Sequence, residues 1–232
     1  MRKFIKNKFI QIKNKFLLKS DQKSISPKLF PIALSEKEQN FLIKHCKNCK
    51  NYLEFGSGGS TFLVLLQTDI KNVTSIESDP NWIKYLEKWE FIKQEKRLKF
   101  RYINIGEVGF LGIPQDPKAK NLYPLYSSEI FKENNNFDFV FIDGRFRVAC
   151  TIQTILNCNK NTTILIHDFN NREEYHYILK YLDIIDTMDT MCIFKIKEKI
   201  NKEELLNDCK RTHGLIILYT WFDFFGNLAL KI

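Results

Sequence analysis

The chain has 232 residues, 44% of them apolar, and a formal net charge of +9. That length and apolar share suit one α/β domain with decorated ends and enough side chains to fill a sizeable core. The charge is uneven: residues 1–20 carry seven cations (Arg2, Lys3, Lys6, Lys8, Lys13, Lys15 and Lys19) and no acid, so the body is near neutral, which argues against a nucleic-acid binder with a basic face.

Lys interrupts the N-terminal apolar residues every few positions, so the segment does not read as a signal peptide. Ile5, Phe9, Ile12 and Phe16 instead form one helical stripe with Lys on the other faces. Such an arm over residues 1–19 suits an anionic membrane surface, a solvated tail, or a stripe packed on the body. Residues 20–34, with Pro27 and Pro31, read as a linker, which makes 1–34 an arm and linker. Ser35 followed by Glu38 is a capping box that opens a helix to about Cys46.

From Asn51 strands and helices alternate. Strands are expected at Tyr52–Phe55, Val73–Ile76, Leu98–Ile103, Phe137–Ile142 and Thr163–Ile166, with a closing pair at Leu182–Asp186 and Met191–Ile196. Helices are expected from Thr61, over Trp82–Ile92 behind an Asp79 N-cap and Pro80, and over Arg145–Leu156 and Arg172–Leu182. The alternation implies a Rossmann-like, doubly wound, mainly parallel sheet, whose ligands sit beyond the carboxyl ends of the strands. The domain spans 35–197, and 198–232 is a helical and apolar extension expected to pack on it.

The link between the first strand and its helix reads Glu54-Phe-Gly56-Ser57-Gly58-Gly59-Ser60-Thr61. A dinucleotide fingerprint would place a third glycine at Thr61. A carboxylate at Glu54 would repel a pyrophosphate and suit the ammonium of a methionine moiety. Glu77 follows Gly56 by 21 residues at the end of strand two, where a carboxylate can accept from both ribose hydroxyls.

This loop, together with Ser75-Ile-Glu77-Ser-Asp79-Pro80, resembles class I S-adenosylmethionine-dependent methyltransferases over roughly residues 35–197. The resemblance implies a seven-stranded sheet with its last strand antiparallel and S-adenosylmethionine as cofactor. It implies that Glu54, Gly56, Gly58 and Glu77 contact that cofactor; Ser57, Gly59, Thr61 and Asp143 complete the expected cofactor set. Where many relatives carry an acidic adenine contact after strand three, this chain reads Asn104-Ile-Gly106-Glu107.

Asp143 ends strand four, and His167 and Asp168 end strand five, so neighbouring strands bring them to one rim. Methyl transfer needs an aligned acceptor, exclusion of water and removal of a proton. His167 is a candidate base, and Arg145 a candidate partner for an acidic substrate group or for Asp143 or Asp168. Asp143 and Asp168 can alternatively hold Mg²⁺, as the resemblance to metal-dependent O-methyltransferases implies, with Asn170 or Asn171 as a third ligand. The string Asp143-Gly-Arg145-Phe-Arg147 with His167-Asp168 looks more like a bacterial branch found with surface-polysaccharide genes, which points to a hydroxyl of a carbohydrate or small metabolite as acceptor. Rival readings are a nicotinamide enzyme on the same sheet and a non-catalytic, membrane-recruited binding protein.

The aromatic stretch Gly109 to Tyr126 reads as a lid or acceptor pocket, with Tyr123 and Tyr126 as acceptor contacts. Six cysteines are scattered; Cys150 and Cys192 look like core residues, and Cys46-Lys-Asn-Cys49 lacks a second pair with zinc spacing. This usage reads as cytosolic, with the arm allowing a peripheral place on the inner membrane face. The apolar run Leu215–Phe225 contains Asp223, makes a poor transmembrane helix, and suits packing on the domain, a homodimer contact or an interfacial position.

Overall fold

The computed structural model describes residues 17–212. The stripe at Ile5–Phe16 and the Leu215–Phe225 run lie outside the described residues. Helix α1 (Glu36–Cys46) opens with both halves of the expected capping box: Glu38 N donates to Ser35 Oγ and Ser35 N to Glu38 Oε2. The chain then runs through β1 (Asn51–Phe55), α2 (Gly59–Gln67), β2 (Asn72–Glu77), α3 (Pro80–Leu86), α4 (Glu90–Gln94) and β3 (Leu98–Tyr102). After a loop of short helical turns come α5 (Tyr123–Ser128), β4 (Phe139–Ile142), α6 (Arg147–Asn157), β5 (Thr163–Ile166), β6 (Leu182–Met188) and β7 (Met191–Ile196).

The seven strands form one sheet in the order β3-β2-β1-β4-β5-β7-β6, parallel except for β7, which runs antiparallel to both neighbours. This is the Rossmann-like sheet of class I methyltransferases, with the expected antiparallel last strand. Strand β4 shows why its sequence reads as an unbroken apolar run: Phe139 and Phe141 face a core with α1 and α2, while Val140 and Ile142 face one with α5 and α6. Both faces are covered, so period-two alternation puts apolar residues on each.

The register sets up the site. Phe55 pairs with Ile76 and Ile142, and Ile142 with Ile166. The residues that follow these pairs (Gly56, Glu77, Asp143 and His167) therefore emerge on one rim. Because β7 is antiparallel, its start lies at the same rim, with Cys192 opposite Ile166.

The structure corrects several expectations. The helix expected over Trp82–Ile92 is two, because Trp89 takes an extended backbone (φ −78°, ψ 124°) and its indole is drawn wholly into the core, edge-on to Phe30 and Phe62. The helix expected from Arg145 begins at Arg147, after Phe146 in the left-handed region at φ 56°. The one expected over Arg172–Leu182 is a 3₁₀ segment, Glu173–Lys180. The stretch read as a linker is seated: Phe30 stacks on Phe62 at 3.8 Å, and Leu34 is buried. Residues 202–212 form a helix that buries Leu205 and Cys209, with Asp208 accepting from Tyr181 Oη at 2.7 Å. Among the described residues no helix is long and apolar enough to cross a membrane.

Candidate active site

The loop after β1 is held from beneath. Glu54 is fully buried, and its carboxylate accepts from Ser75 Oγ at 2.7 Å, Ser60 Oγ at 3.1 Å, Tyr52 Oη at 3.3 Å and Thr61 Oγ1. Thr61 Oγ1 in turn accepts from Gly58 N at 2.9 Å. Burial pushes the Glu54 carboxyl up to about 7, against the pull of those hydroxyls. Direct contact between Glu54 and a cofactor ammonium, expected from the sequence, does not fit this burial. Glu54 and Thr61 instead brace the loop.

The glycines divide by role. Gly56 has φ +98°, and a Cβ there would stand 2.8 Å from Gly144 Cα, so the turns after β1 and β4 touch through it. A Cβ on Gly59 would lie 2.7 Å from Ile32 Cα; this glycine admits the N-terminal segment, not the ligand expected there. At Gly58 a Cβ would meet nothing within 4 Å. That open face is where a ligand can approach the backbone. Ser57 N donates to Glu77 Oε2 at 3.3 Å, its carbonyl accepts from Trp82 Nε1 at 2.8 Å, and its Oγ lies 2.6 Å from Ser75 Oγ.

Glu77 ends β2 with its carboxylate ordered by Ser78 N at 2.6 Å and Asp79 N at 2.9 Å. Burial holds its pKa above the usual carboxylate value, with these amides opposing. Gly112, in the loop after β3, sits over this end: a Cβ on it would lie 3.2 Å from Ser78 Oγ, 3.8 Å from Arg145 Cγ and 4.0 Å from Glu77 Oε1. An open glycine face beside a nearly buried carboxylate ordered by main-chain amides fits the methionine and ribose ends of S-adenosylmethionine. Gly58, Ser57 and Glu77 are the residues that would hold it.

The transfer side of the rim is a charge cluster. His167 Nδ1 lies 2.7 Å from Asp143 Oδ1. His167 Nε2 is 3.6 Å from Glu38 Oε1 and 3.8 Å from Asp168 Oδ1, beyond hydrogen-bond length from both. Burial would lower the imidazole pKa, but the Asp143 carboxylate outweighs it and holds His167 above its ordinary value. Burial would raise Asp143; Arg147 and His167 outweigh it and hold the carboxyl low. The two directions agree on an ion pair.

Arg147, at the first position of α6 and 7% exposed, organises this cluster. Its guanidinium reaches Asp143 Oδ1 at 3.0 Å, Asp168 Oδ2 at 3.1 Å, and the carbonyls of Asp143 at 3.1 Å, Gly144 at 3.2 Å and His167. Arg145, half-buried beside Gly112, also helps to hold Asp143 low, as expected, but the residue that bridges Asp143 and Asp168 is Arg147. The Mg²⁺ site expected at Asp143 and Asp168 does not fit: both carboxylates close on a guanidinium. Asn170, a candidate third ligand, donates its amide to the carbonyls of Asp189 at 2.9 Å and Met191 at 3.2 Å. Among the described residues no group of three or more His, Cys, Asp or Glu side chains could hold a metal ion.

Tyr123 and Tyr126 are not acceptor contacts either. Both are buried, with Tyr123 Oη donating to the Asp116 carbonyl at 3.0 Å and the Tyr126 ring packed against Phe55 and Phe146. The exposed aromatic of that loop is Phe110. Glu38 was legible only as a cap. Its second oxygen accepts from Thr190 Oγ1 at 2.6 Å and Thr190 N at 3.2 Å, which brings α1 and the β6–β7 turn to His167.

No family profile and no curated protein matches the sequence. Solved structures do. A methyltransferase-like protein from Silicibacter pomeroyi DSS-3 is 25% identical, with a TM-score of 0.70 over 79% of this chain and 97% of its own. An O-methyltransferase from Bacillus cereus, solved with S-adenosylhomocysteine, is 15% identical, with a TM-score of 0.50 over 79% of this chain and 90% of its own. The chain thus has the fold of class I methyltransferases.

Proposed function

We propose that the protein transfers the methyl group of S-adenosylmethionine to a hydroxyl oxygen of a carbohydrate or similar small metabolite. The observation that carries this reading is the shared rim: the open face of Gly58 and the ordered Glu77 stand on one side, and the Asp143–His167 pair on the other. Held by Gly58, Ser57 and Glu77, S-adenosylmethionine would supply a methyl carbon made electrophilic by its sulfonium, with the C–S electron pair carried away on sulfur as the acceptor bond forms. The protein must hold the acceptor in line, exclude water and take one proton. In its neutral form, with Nδ1–H donating to Asp143, His167 presents the Nε2 lone pair and takes the hydroxyl proton there, becoming the imidazolium that the Asp143 carboxylate stabilises. The base beside the cofactor side supports a hydroxyl oxygen as the acceptor atom, and the O-methyltransferase name of the Bacillus cereus protein is in keeping with it.

The test is methyl transfer from labelled S-adenosylmethionine to a panel of sugars and polyols. Label should enter a hydroxyl oxygen, and His167→Gln should lower the rate by about 10²–10⁴-fold. Label appearing on nitrogen or carbon instead would overturn the assignment of the acceptor atom.

A further inference from the structure

We propose that Arg147 is the resident cation of the transfer site, occupying the place between Asp143 and Asp168 that a divalent ion would need, so that the reaction runs without a divalent metal. The inference deepens the transfer-site reading above and rests on it for its functional meaning. Its structural basis is the donor set. The two carboxylates and three main-chain carbonyls that converge here would make a plausible oxygen cage for a hard cation, yet all five oxygens face one guanidinium. A metal ion could enter only by expelling a nearly buried arginine from its partners, which leaves a buried charge uncompensated.

The charge balance agrees. Asp143, Asp168 and Glu38 contribute three negative charges. Arg147, Arg145 and Arg172, the last with Nη2 at 3.5 Å from Asp168 Oδ2, contribute three positive ones, and protonated His167 a fourth. A divalent ion would add positive charge where the carboxylates are already matched.

The backbone is bent to build this arrangement. Phe146, just before Arg147, and Asp168 both sit at φ 56°, among only four non-glycine residues with positive φ among the described residues. Left-handed backbone at a bulky residue costs about 1 kcal/mol or more and persists where surrounding contacts hold it. Here the first turn aims the guanidinium inward and the second folds the Asp168 carboxylate back onto it. Arg147 thereby does structurally what a metal does in other sites: it fixes two carboxylates and, through Asp143 and the His167 carbonyl, the orientation of the imidazole.

Mn²⁺ binding, followed by electron paramagnetic resonance with and without S-adenosylhomocysteine, tests this without any acceptor. The wild type should bind no more Mn²⁺ than Asp143→Asn does. Arg147→Ala should gain one Mn²⁺ with a Kd in about the millimolar range or tighter, and adding Asp143→Asn should remove it. Arg147→Gln serves the same end if the alanine variant does not fold. A wild-type Mn²⁺ site that Asp143→Asn abolishes would overturn the proposal, as would folded Arg147 variants that bind no more Mn²⁺ than the wild type. Failure of the cofactor reading would show separately, as absence of S-adenosylhomocysteine binding by the wild type.

Discussion

At the scale of single residues, the loop Glu54–Thr61 separates chemistry that its sequence runs together. Gly56 and Gly58 are two residues apart and equivalent as letters, yet one makes room for Gly144 and the other leaves an open face. Gly56→Ala should destabilise the unliganded protein by about 1–3 kcal/mol, since it places a Cβ both at positive φ and against backbone. Gly58→Ala should cost less stability and weaken S-adenosylhomocysteine binding. Denaturant melts and calorimetry on both variants check the contrast, and equal losses of stability would contradict it. The Asp143–His167 pair was legible as a juxtaposition because both residues end neighbouring strands. The bridge that Arg147 makes between Asp143 and Asp168 was not, because it depends on the left-handed turn at Phe146. His167 also makes a pH prediction. Its folded pKa lies above the ordinary imidazole value of about 6.5. The stability it contributes is therefore fully present below about pH 6.5 and lost as pH rises through the folded value. The gap in thermal midpoint between wild type and His167→Gln should be widest near pH 6 and narrow toward pH 9; a gap that widens with pH would count against the ion pair.

At the scale of elements, strands were read closely and helices less so. Thr163–Ile166 falls as expected, and β4 differs only at its start, because apolar runs covered on both faces carry a strong signal. Helical period alone does not show where a large side chain will leave the helix for the core, which is what Trp89 does between α3 and α4. The same limit applies to residues 20–34, where two prolines suggest a linker and one phenylalanine decides otherwise. Phe30 is 7% exposed, stacked on Phe62 and edge-on to Trp89. Phe30→Ala should cost about 3–5 kcal/mol, measured by denaturant unfolding; a loss below about 1 kcal/mol would mean that the segment is merely draped on the domain.

At the scale of the whole molecule, parallel strands that end in register collect their following residues on one rim, and the antiparallel β7 adds the turn carrying Thr190. Sequence alternation foretold the sheet and its rim. It did not foretell that α1 would send Glu38 to the same place, since that is a tertiary contact between residues 152 positions apart. If the rim works as proposed, it holds the nucleoside of S-adenosylmethionine with Glu77 at the ribose. Titration calorimetry of purified protein with S-adenosylhomocysteine tests it most directly. The wild type should show one site per chain, and Glu77→Ala an affinity reduced by about 10-fold or more, as expected when a hydrogen-bonded, charged partner is lost. A folded wild type that binds no S-adenosylhomocysteine, or a Glu77→Ala variant with unchanged affinity, would contradict it.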